Sequence, residues 1–258
     1  MQIDLNSDMG ESYGIYQLGA DEEILRWVTS ANVACGWHGG DPHVMRRTVQ
    51  QAKVLGVRVG AHPSYPDLLG FGRRPMQITR QEARDYILYQ IGALRAFCEA
   101  LGVHLQHVKP HGAIYNVAVK DRELSLGIAE GVKEAGGDLI LVGLPGSELV
   151  KAGQEVGVRV AREAFGDRAY NEDGTLVSRK LPGSLLIDPD LVAERVVGLV
   201  RGTVIAITGA AIRLEADTVC LHGDTPGAAQ IARAVRERLG AGGVQVVPMG
   251  TFVGRQAG

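Results

Sequence analysis

The sequence predicts a parallel α/β fold closed into a seven-stranded, TIM-like (β/α) barrel, with one domain spanning residues 1–258, and three observations carry that expectation. β-rich runs alternate with helical patterns from end to end, no linker or low-complexity stretch divides the chain, and unusual polar residues fall at the carboxyl ends of the strand runs. Such alternation implies parallel strands with right-handed crossovers, which leaves either an open doubly wound sheet or a barrel. Asp8, Asn32, His38, His62, Lys109, His111, His222 and Asp224 lie at the ends of different strand runs. A barrel gathers all of those ends at one mouth, whereas an open sheet joins only the strands at its switch point.

The strand runs are Gln2–Ser7, Ala31–Cys35, Val57–Ala61, Leu105–Lys109, Leu139–Gly143, Val158–Ala161 and Thr218–His222, short and rich in β-branched residues. Between them, Asp41-Pro42 pairs an N-cap with proline in the first turn, Met45, Val49 and Ala52 share one face, and Gly56 supplies a stop. Thr79 to Glu82 has capping-box spacing, and Ile87, Ile91, Leu94, Cys98 and Leu101 extend the apolar stripe to Gly102, predicting the longest helix. Asp121 opens a helix carrying Leu124, Ile128 and Val132, and Ser147 caps a short one. Asp188-Pro189 starts another through Leu191 to Leu199, and the last follows Pro226 with Ile231, Val235 and Leu239 on its face. Val204–Gly209 followed by Ala211–Leu214 reads as a hairpin inserted before the seventh strand.

Composition narrows the function. Hydrophobic residues make up 45% and charged residues 22%, which excludes disordered and fibrous chains. With 27 basic and 29 acidic residues the chain has no field for a phosphate polymer, so nucleic acid is not an expected partner. No apolar run approaches the length of a bilayer span, and the polar, acidic start Met1-Gln2-Ile3-Asp4 lacks the pattern of a signal peptide. Cys35, Cys98 and Cys220 form no C-x-x-C pair, as expected of reduced thiols in a cytoplasmic protein. Thirty-five glycines without a G-x-y period point to tight turns and close approaches.

Six segments exceed what a bare fold requires: Asp4–Glu11 (DLNSDMGE), Ser30–Pro42 (SANVACGWHGGDP), Gly60–Asp67 (GAHPSYPD), Gly70–Arg74 (GFGRR), Val108–Asn116 (VKPHGAIYN) and Cys220–Asp224 (CLHGD). In this order they resemble the LamB/YcsF family, the A subunits of ATP-dependent 5-oxoprolinase, over nearly the whole chain. Gly39-Gly40 is a small departure, standing where the family pattern has His-Ala-Gly or similar. The resemblance implies a barrel related to those of glycoside hydrolases and deacetylases. It also implies ATP as co-substrate, two partner subunits (B and C), and ring opening of 5-oxoproline to L-glutamate.

A lactam is a resonance-stabilised amide, so its hydrolysis calls for an activated carbonyl, a base for water, cations for phosphate and a group for the substrate carboxylate. Asp8 is the expected base, with Glu11 or His38 as alternates, although an Asp at a strand end is also an ordinary cap. His107, Lys109 and His111 alternate and so share the interior face; Lys109 is assigned to phosphate or a developing oxyanion, His111 joins the catalytic set, and His107 reads as a core histidine. Of Arg73 and Arg74 only one can face inward, and Arg74 is the expected substrate ligand. Asn32, His62, His222 and Asp224 complete the expected substrate-binding set, with Asn116 orienting His111; the asparagines also suit plain turns.

Related barrels that deacetylate sugars use an Asp-His-His metal set, and the resemblance implies by that analogy a divalent metal with Asp8, His38, His62 and His111 as candidate ligands, His38 or His62 and His111 or His222 being the histidine alternatives. No H-E-x-x-H motif is present, so those ligands would come from separate strands. Cys35 near His38 is a candidate nucleophile, though cysteine in such a strand is more often packing. The absence of G-x-x-x-x-G-K-[ST] leaves ATP to another kind of site or to the partner subunits. Two readings compete: a self-sufficient metal-dependent amidohydrolase or carbohydrate deacetylase on the same barrel, and a non-catalytic subunit that delivers substrate. So many polar strand ends argue against the second.

Overall fold

The computed structural model describes residues 1–223 and 225–254, so Asp224 lies outside the described residues. Ten strands are described: β1 (Gln2–Met9), β2 (Ser30–Ala34), β3 (Arg58–His62), β4 (Leu105–Val108), β5 (Ile140–Gly143), β6 (Arg159–Phe165), β7 (Thr203–Ile205), β8 (Ala211–Arg213), β9 (Thr218–Cys220) and β10 (Gln245–Val246). β1 to β6 and then β9 pair in parallel, and β9 returns to β1 through Asp4↔Thr218 and Asn6↔Cys220, closing a seven-stranded barrel. The expected hairpin is present as antiparallel β7–β8. β10 extends the β1 edge at Gln2↔Gln245; two residues are too short a run to announce a strand.

The helices are α1 (Asp21–Ile24), α2 (Pro42–Leu55), α3 (Arg80–Ala100), α4 (Ala113–Ala118), α5 (Arg122–Ala135), α6 (Glu148–Val156), α7 (Pro189–Val200) and α8 (Ala228–Ala241). Capping chemistry sets their ends. Asp41 accepts from the His43 and Val44 amides, Gly56 closes α2 at φ 70°, and Thr79 and Glu82 form the reciprocal box that starts α3. Asp121, Ser147 and Asp188 cap α5, α6 and α7 in the same way. Sequence reading missed α1 and α4. The first is a single turn, and the second follows Gly112 with no side-chain cap to announce it.

Apolar residues fill the layer between barrel and helices, and a small group, Ile140, Val142, Ala161, Met249 and Val253, packs separately from it. The barrel interior near β1 is polar. Alternation along β1 stacks Asp4, Asn6 and Asp8, and buried Asp4 accepts from the hydroxyls of Thr29, Ser30 and Thr218 at 2.6–2.8 Å. Burial nevertheless pushes the Asp4 carboxyl above its ordinary range.

Two glycines admit this interior. A Cβ on Gly60 would lie 2.1 Å from the His107 ring, so only glycine lets that histidine fill its place. A Cβ on Gly39 would meet the Glu11 carbonyl at 2.7 Å, which accounts for glycine where the family pattern suggested a larger residue.

Candidate active site

A cavity of about 610 Å³ opens at the carboxyl ends of the strands. Asp8, Glu11, His62, Lys109, His111 and His222 line it, together with the cationic Arg73, Lys120, Arg168, Arg179 and Lys180. The barrel places each group by register. β1 ends with Asp8 opposite Asn32, β3 ends at His62, and Lys109 follows β4, where Pro110 has no N–H with which to continue the ladder.

Lys109 is the hub. Its Nζ lies 2.9 Å from Asp8 Oδ1, 2.8 Å from Glu163 Oε1, 3.3 Å from Asn6 Oδ1 and 3.2 Å from Cys220 Sγ. Burial would lower its pKa, but Asp8, Cys220 and Glu163 outweigh that and hold the ammonium charged. Asp8 answers in the opposite direction. Burial pushes it up, yet the neighbouring His62 imidazole and Lys109 ammonium hold it well below the usual carboxylate range. Asn32 donates to Asp8 at 2.8 Å and to Asn6 at 2.7 Å, and its oxygen takes His107 Nε2 at 2.7 Å. His107 is the buried core histidine that the sequence suggested, its pKa pushed down to about 3 by burial and by Lys109.

The second group joins three histidines and a glutamate. His111 Nδ1 lies 3.0 Å from His62 Nε2 and 3.3 Å from Glu11 Oε1, and His38 Nε2 lies 3.1 Å from the same oxygen. The rings of His38 and His111 stack at 3.8 Å, and both are held neutral, first by burial and then by neighbouring imidazoles. The metal-ligand atoms of Glu11, His38, His62 and His111 all fall within 4.8 Å of one another, as do those of Asp8, Cys220 and His222. The sequence named three members of the first group as metal candidates together with Asp8. The structure brings Glu11 into the group, while Asp8 approaches it only through His62 at 3.3 Å.

On the opposite side, His222 Nδ1 bonds to Asp167 Oδ1 at 2.8 Å, and Thr225 Oγ1 donates to Asp167 Oδ2 at 2.9 Å. A carboxylate only accepts, so Nδ1 carries a hydrogen, and in the neutral ring Nε2 then holds the lone pair. The His222 ring also stacks on Phe165 at 5.6 Å. Burial raises the Asp167 carboxyl, and His222 with Thr225 brings it below its ordinary value.

Four expectations are refined in this setting. Arg74 turns away, 64% exposed along its side chain, and its Nε donates to Asp67 Oδ1 at 2.9 Å; Arg73 lines the cavity instead, its guanidinium 4.9 Å from the Phe71 ring. The Gly70–Gly72 turn reverses the inward and outward assignment, and strand parity does not extend through such a turn. Asn116 lies in α4 at the cavity wall, while His111 is oriented by the Phe71 carbonyl at 2.9 Å rather than by that asparagine. Asn32 and His38 sit below the cavity surface, in contact with the residues that form it. Cys35 is buried, and burial pushes its thiol up to about 12, away from the thiolate that a nucleophile needs and in keeping with a packing role.

Sequence reading passed over Glu163 and Asp167. Glu163, between Arg162 and Ala164, lies just beyond the expected strand run Val158–Ala161 and carried no signal of its own, and Asp167 none beyond a polar turn.

The LamB/YcsF family model matches residues 3–254. The chain belongs to the LamB/YcsF family. It is 56% identical over 254 residues to a protein of Pyrococcus furiosus named as the A subunit of 5-oxoprolinase, covering 98% of this chain and all of that one. A protein of the same name from Thermococcus onnurineus is 58% identical over 254 residues, again covering 98% of this chain and all of that one. Among solved structures, the lactam utilization protein of Thermus thermophilus superimposes with a TM-score of 0.91 at 48% identity, over 96% of this chain and 99% of that one. Family membership and barrel architecture thus agree with the motifs. No helix among the described residues is long and apolar enough to cross a membrane.

Proposed function

We propose that this chain is the A subunit of an ATP-dependent 5-oxoprolinase, acting in the cytoplasm with two partner subunits to open 5-oxoproline to L-glutamate. The observation that carries the reading is the cavity, whose lining combines paired carboxylate, ammonium and imidazole groups with the five cationic side chains of Arg73, Lys120, Arg168, Arg179 and Lys180. The names of the full-length relatives supply the substrate.

Transfer of the γ-phosphoryl group of ATP to the lactam oxygen makes the carbonyl carbon electrophilic. Water adds there, collapse of the tetrahedral centre breaks the C–N bond and releases the ring nitrogen, protonated, as the amine, and a second water hydrolyses the γ-glutamyl phosphate so formed to L-glutamate and inorganic phosphate. The cationic side chains suit the phosphoryl oxygens and the substrate carboxylate, with Arg73 taking the place first expected of Arg74.

Asp8 accepts from Lys109 and Asn32 and is held strongly ionised, which suits charge stabilisation better than proton abstraction. The proton from water passes instead to His222 Nε2, with Asp167 fixing the tautomer. Lys109 steadies developing negative charge in the cavity.

Glutamate release from 5-oxoproline and ATP tests the reading, with this chain alone and then mixed with its two partner subunits. Turnover in the mixture only, lost with His222→Ala while the complex still assembles, is expected. No turnover from a verified complex would overturn it.

A further inference from the structure

The geometry points to a divalent transition-metal site in the cavity, with His62, His111 and Glu11 as its ligands. Two backbone carbonyls fix the ring tautomers. His62 Nδ1 lies 2.6 Å from the Lys109 carbonyl oxygen, and His111 Nε2 lies 2.9 Å from the Phe71 carbonyl oxygen. A carbonyl oxygen only accepts, so each of those ring nitrogens carries a hydrogen. In a neutral imidazole the other nitrogen is then a bare lone pair.

Those two lone pairs, His62 Nε2 and His111 Nδ1, face each other at 3.0 Å. Glu11 Oε1 stands 3.3 Å from the second, and Asp8 Oδ2 stands 3.3 Å from the first. Lys109 serves the other oxygen of Asp8 and His38 faces Glu11, but the two imidazole lone pairs meet with no hydrogen between them, an arrangement that a cation seated there relieves.

The spacing fits a metal ion. Ligands bound to one ion at about 2.1 Å lie roughly 3.0–3.4 Å from one another, in tetrahedral or octahedral arrangement. The orienting contacts fit as well, since a ligating imidazole usually donates its far N–H to a carbonyl or carboxylate, and a ligating carboxylate is itself hydrogen-bonded. His38 Nε2, 3.1 Å from Glu11 Oε1, is placed to donate to that carboxylate. His62, His111 and Glu11 all line the cavity, which leaves the ion's remaining coordination open to a small molecule. Two imidazoles and a carboxylate suit zinc and its first-row neighbours better than magnesium or calcium. When bound, the ion supplies a Lewis acid in the cavity.

The site stands on ring geometry and does not depend on the lactam reading. The test uses the untagged full-length chain, stripped with chelator and titrated calorimetrically with Zn²⁺, and separately with Co²⁺ while its visible d–d bands are recorded. One equivalent per chain is expected. Glu11→Gln, which keeps the shape of the side chain, and His111→Ala should each weaken binding by about tenfold or more. His43→Ala, an exposed histidine on α2 outside the cluster, should bind as the unaltered chain does. Far-UV circular dichroism confirms that each variant is folded.

A folded chain that takes up no stoichiometric Zn²⁺ or Co²⁺ would overturn the proposal, and so would Glu11→Gln and His111→Ala variants that bind undiminished. Nitrogen NMR showing His62 or His111 doubly protonated in a metal-free chain that also refuses metal would identify the positive charge as a proton. None of these outcomes bears on glutamate release by the assembled complex.

Discussion

Replacing Lys109 by methionine keeps the apolar stem and removes the one ammonium bonded to both Asp8 and Glu163. The lysine is 3% exposed and Glu163 fully buried, so solvent cannot take over the lost charge. Removing one partner of a buried ion pair costs on the order of 3–5 kcal/mol. At roughly 2–4 °C per kcal/mol for a chain of this size, the midpoint of thermal unfolding should fall by roughly 6–20 °C. The deficit must also depend on pH. In the unaltered protein Asp8 is held below its ordinary value, so it contributes stability above about pH 4 that is lost as pH falls. Without Lys109 burial raises Asp8, so the variant is penalised most at pH 7 and recovers relative to the unaltered chain toward pH 4. Urea melts at several pH values measure both effects, and Glu163→Gln added to Lys109→Met should restore part of the loss. A variant within about 1 kcal/mol of the unaltered protein at pH 7, with an unchanged pH slope, would refute the reasoning.

Adding a methyl at Gly60 forces the His107 ring aside, so Gly60→Ala should cost about 1–3 kcal/mol in a denaturant melt, and His107→Ala on top should recover part of it. Burial pushes Asp21 up to about 6, so its contribution to stability is present below about pH 4 and is lost as pH rises to 6; Asp21→Asn should abolish that slope in melts across this range. Arg73→Ala should raise the KM of the assembled complex, whereas Arg74→Ala, on an exposed side chain, should leave it within about twofold. Asp167→Asn should lower turnover tenfold or more with little change in KM, because the tautomer of His222 is no longer fixed.

The barrel was legible because its signals are local. Helix caps at Asp41, Thr79, Asp121, Ser147 and Asp188 act within three residues of themselves, and alternation along β1 marks its polar inner face without reference to any other strand. The strand ends were less sharp. β1 runs on to Met9 and β6 to Phe165 because β2 and β9 offer partners there, a fact that no property of Asp8 or Glu163 announces. The site was half legible for the same reason. Asp8, His38, His62, Lys109, His111 and His222 stood out as polar groups at strand ends, but what each touches depends on which strands adjoin when the barrel closes. Lys109 reaches Asp8 across 101 residues and Cys220 across 111, and the His222–Asp167 pair spans 55. Arg74 shows the limit from the other side. Its neighbour enters the cavity because of a Gly-Phe-Gly turn in which Phe71 itself takes a positive φ of 55°, a conformation rare for a residue with a side chain.

That strained phenylalanine connects two groups of the cavity lining. At φ 55° the Phe71 carbonyl accepts from His111 Nε2, which sends the His111 lone pair toward His62 and Glu11, while the Phe71 ring lies under the Arg73 guanidinium. One backbone setting therefore aims an imidazole acceptor toward His62 and Glu11 and holds a cation at the cavity lining. A conformation of this kind costs on the order of 1–3 kcal/mol and persists only where its surroundings impose it. Phe71→Gly relieves the strain but removes the ring beneath Arg73. The two effects separate by readout: stability should change little, because relief and lost packing oppose each other, whereas any property that depends on Arg73 should weaken. A Phe71→Gly chain with unchanged KM in the assembled complex would show that the ring does not position Arg73, and would leave the carbonyl of residue 71 as the turn's sole contribution to the site.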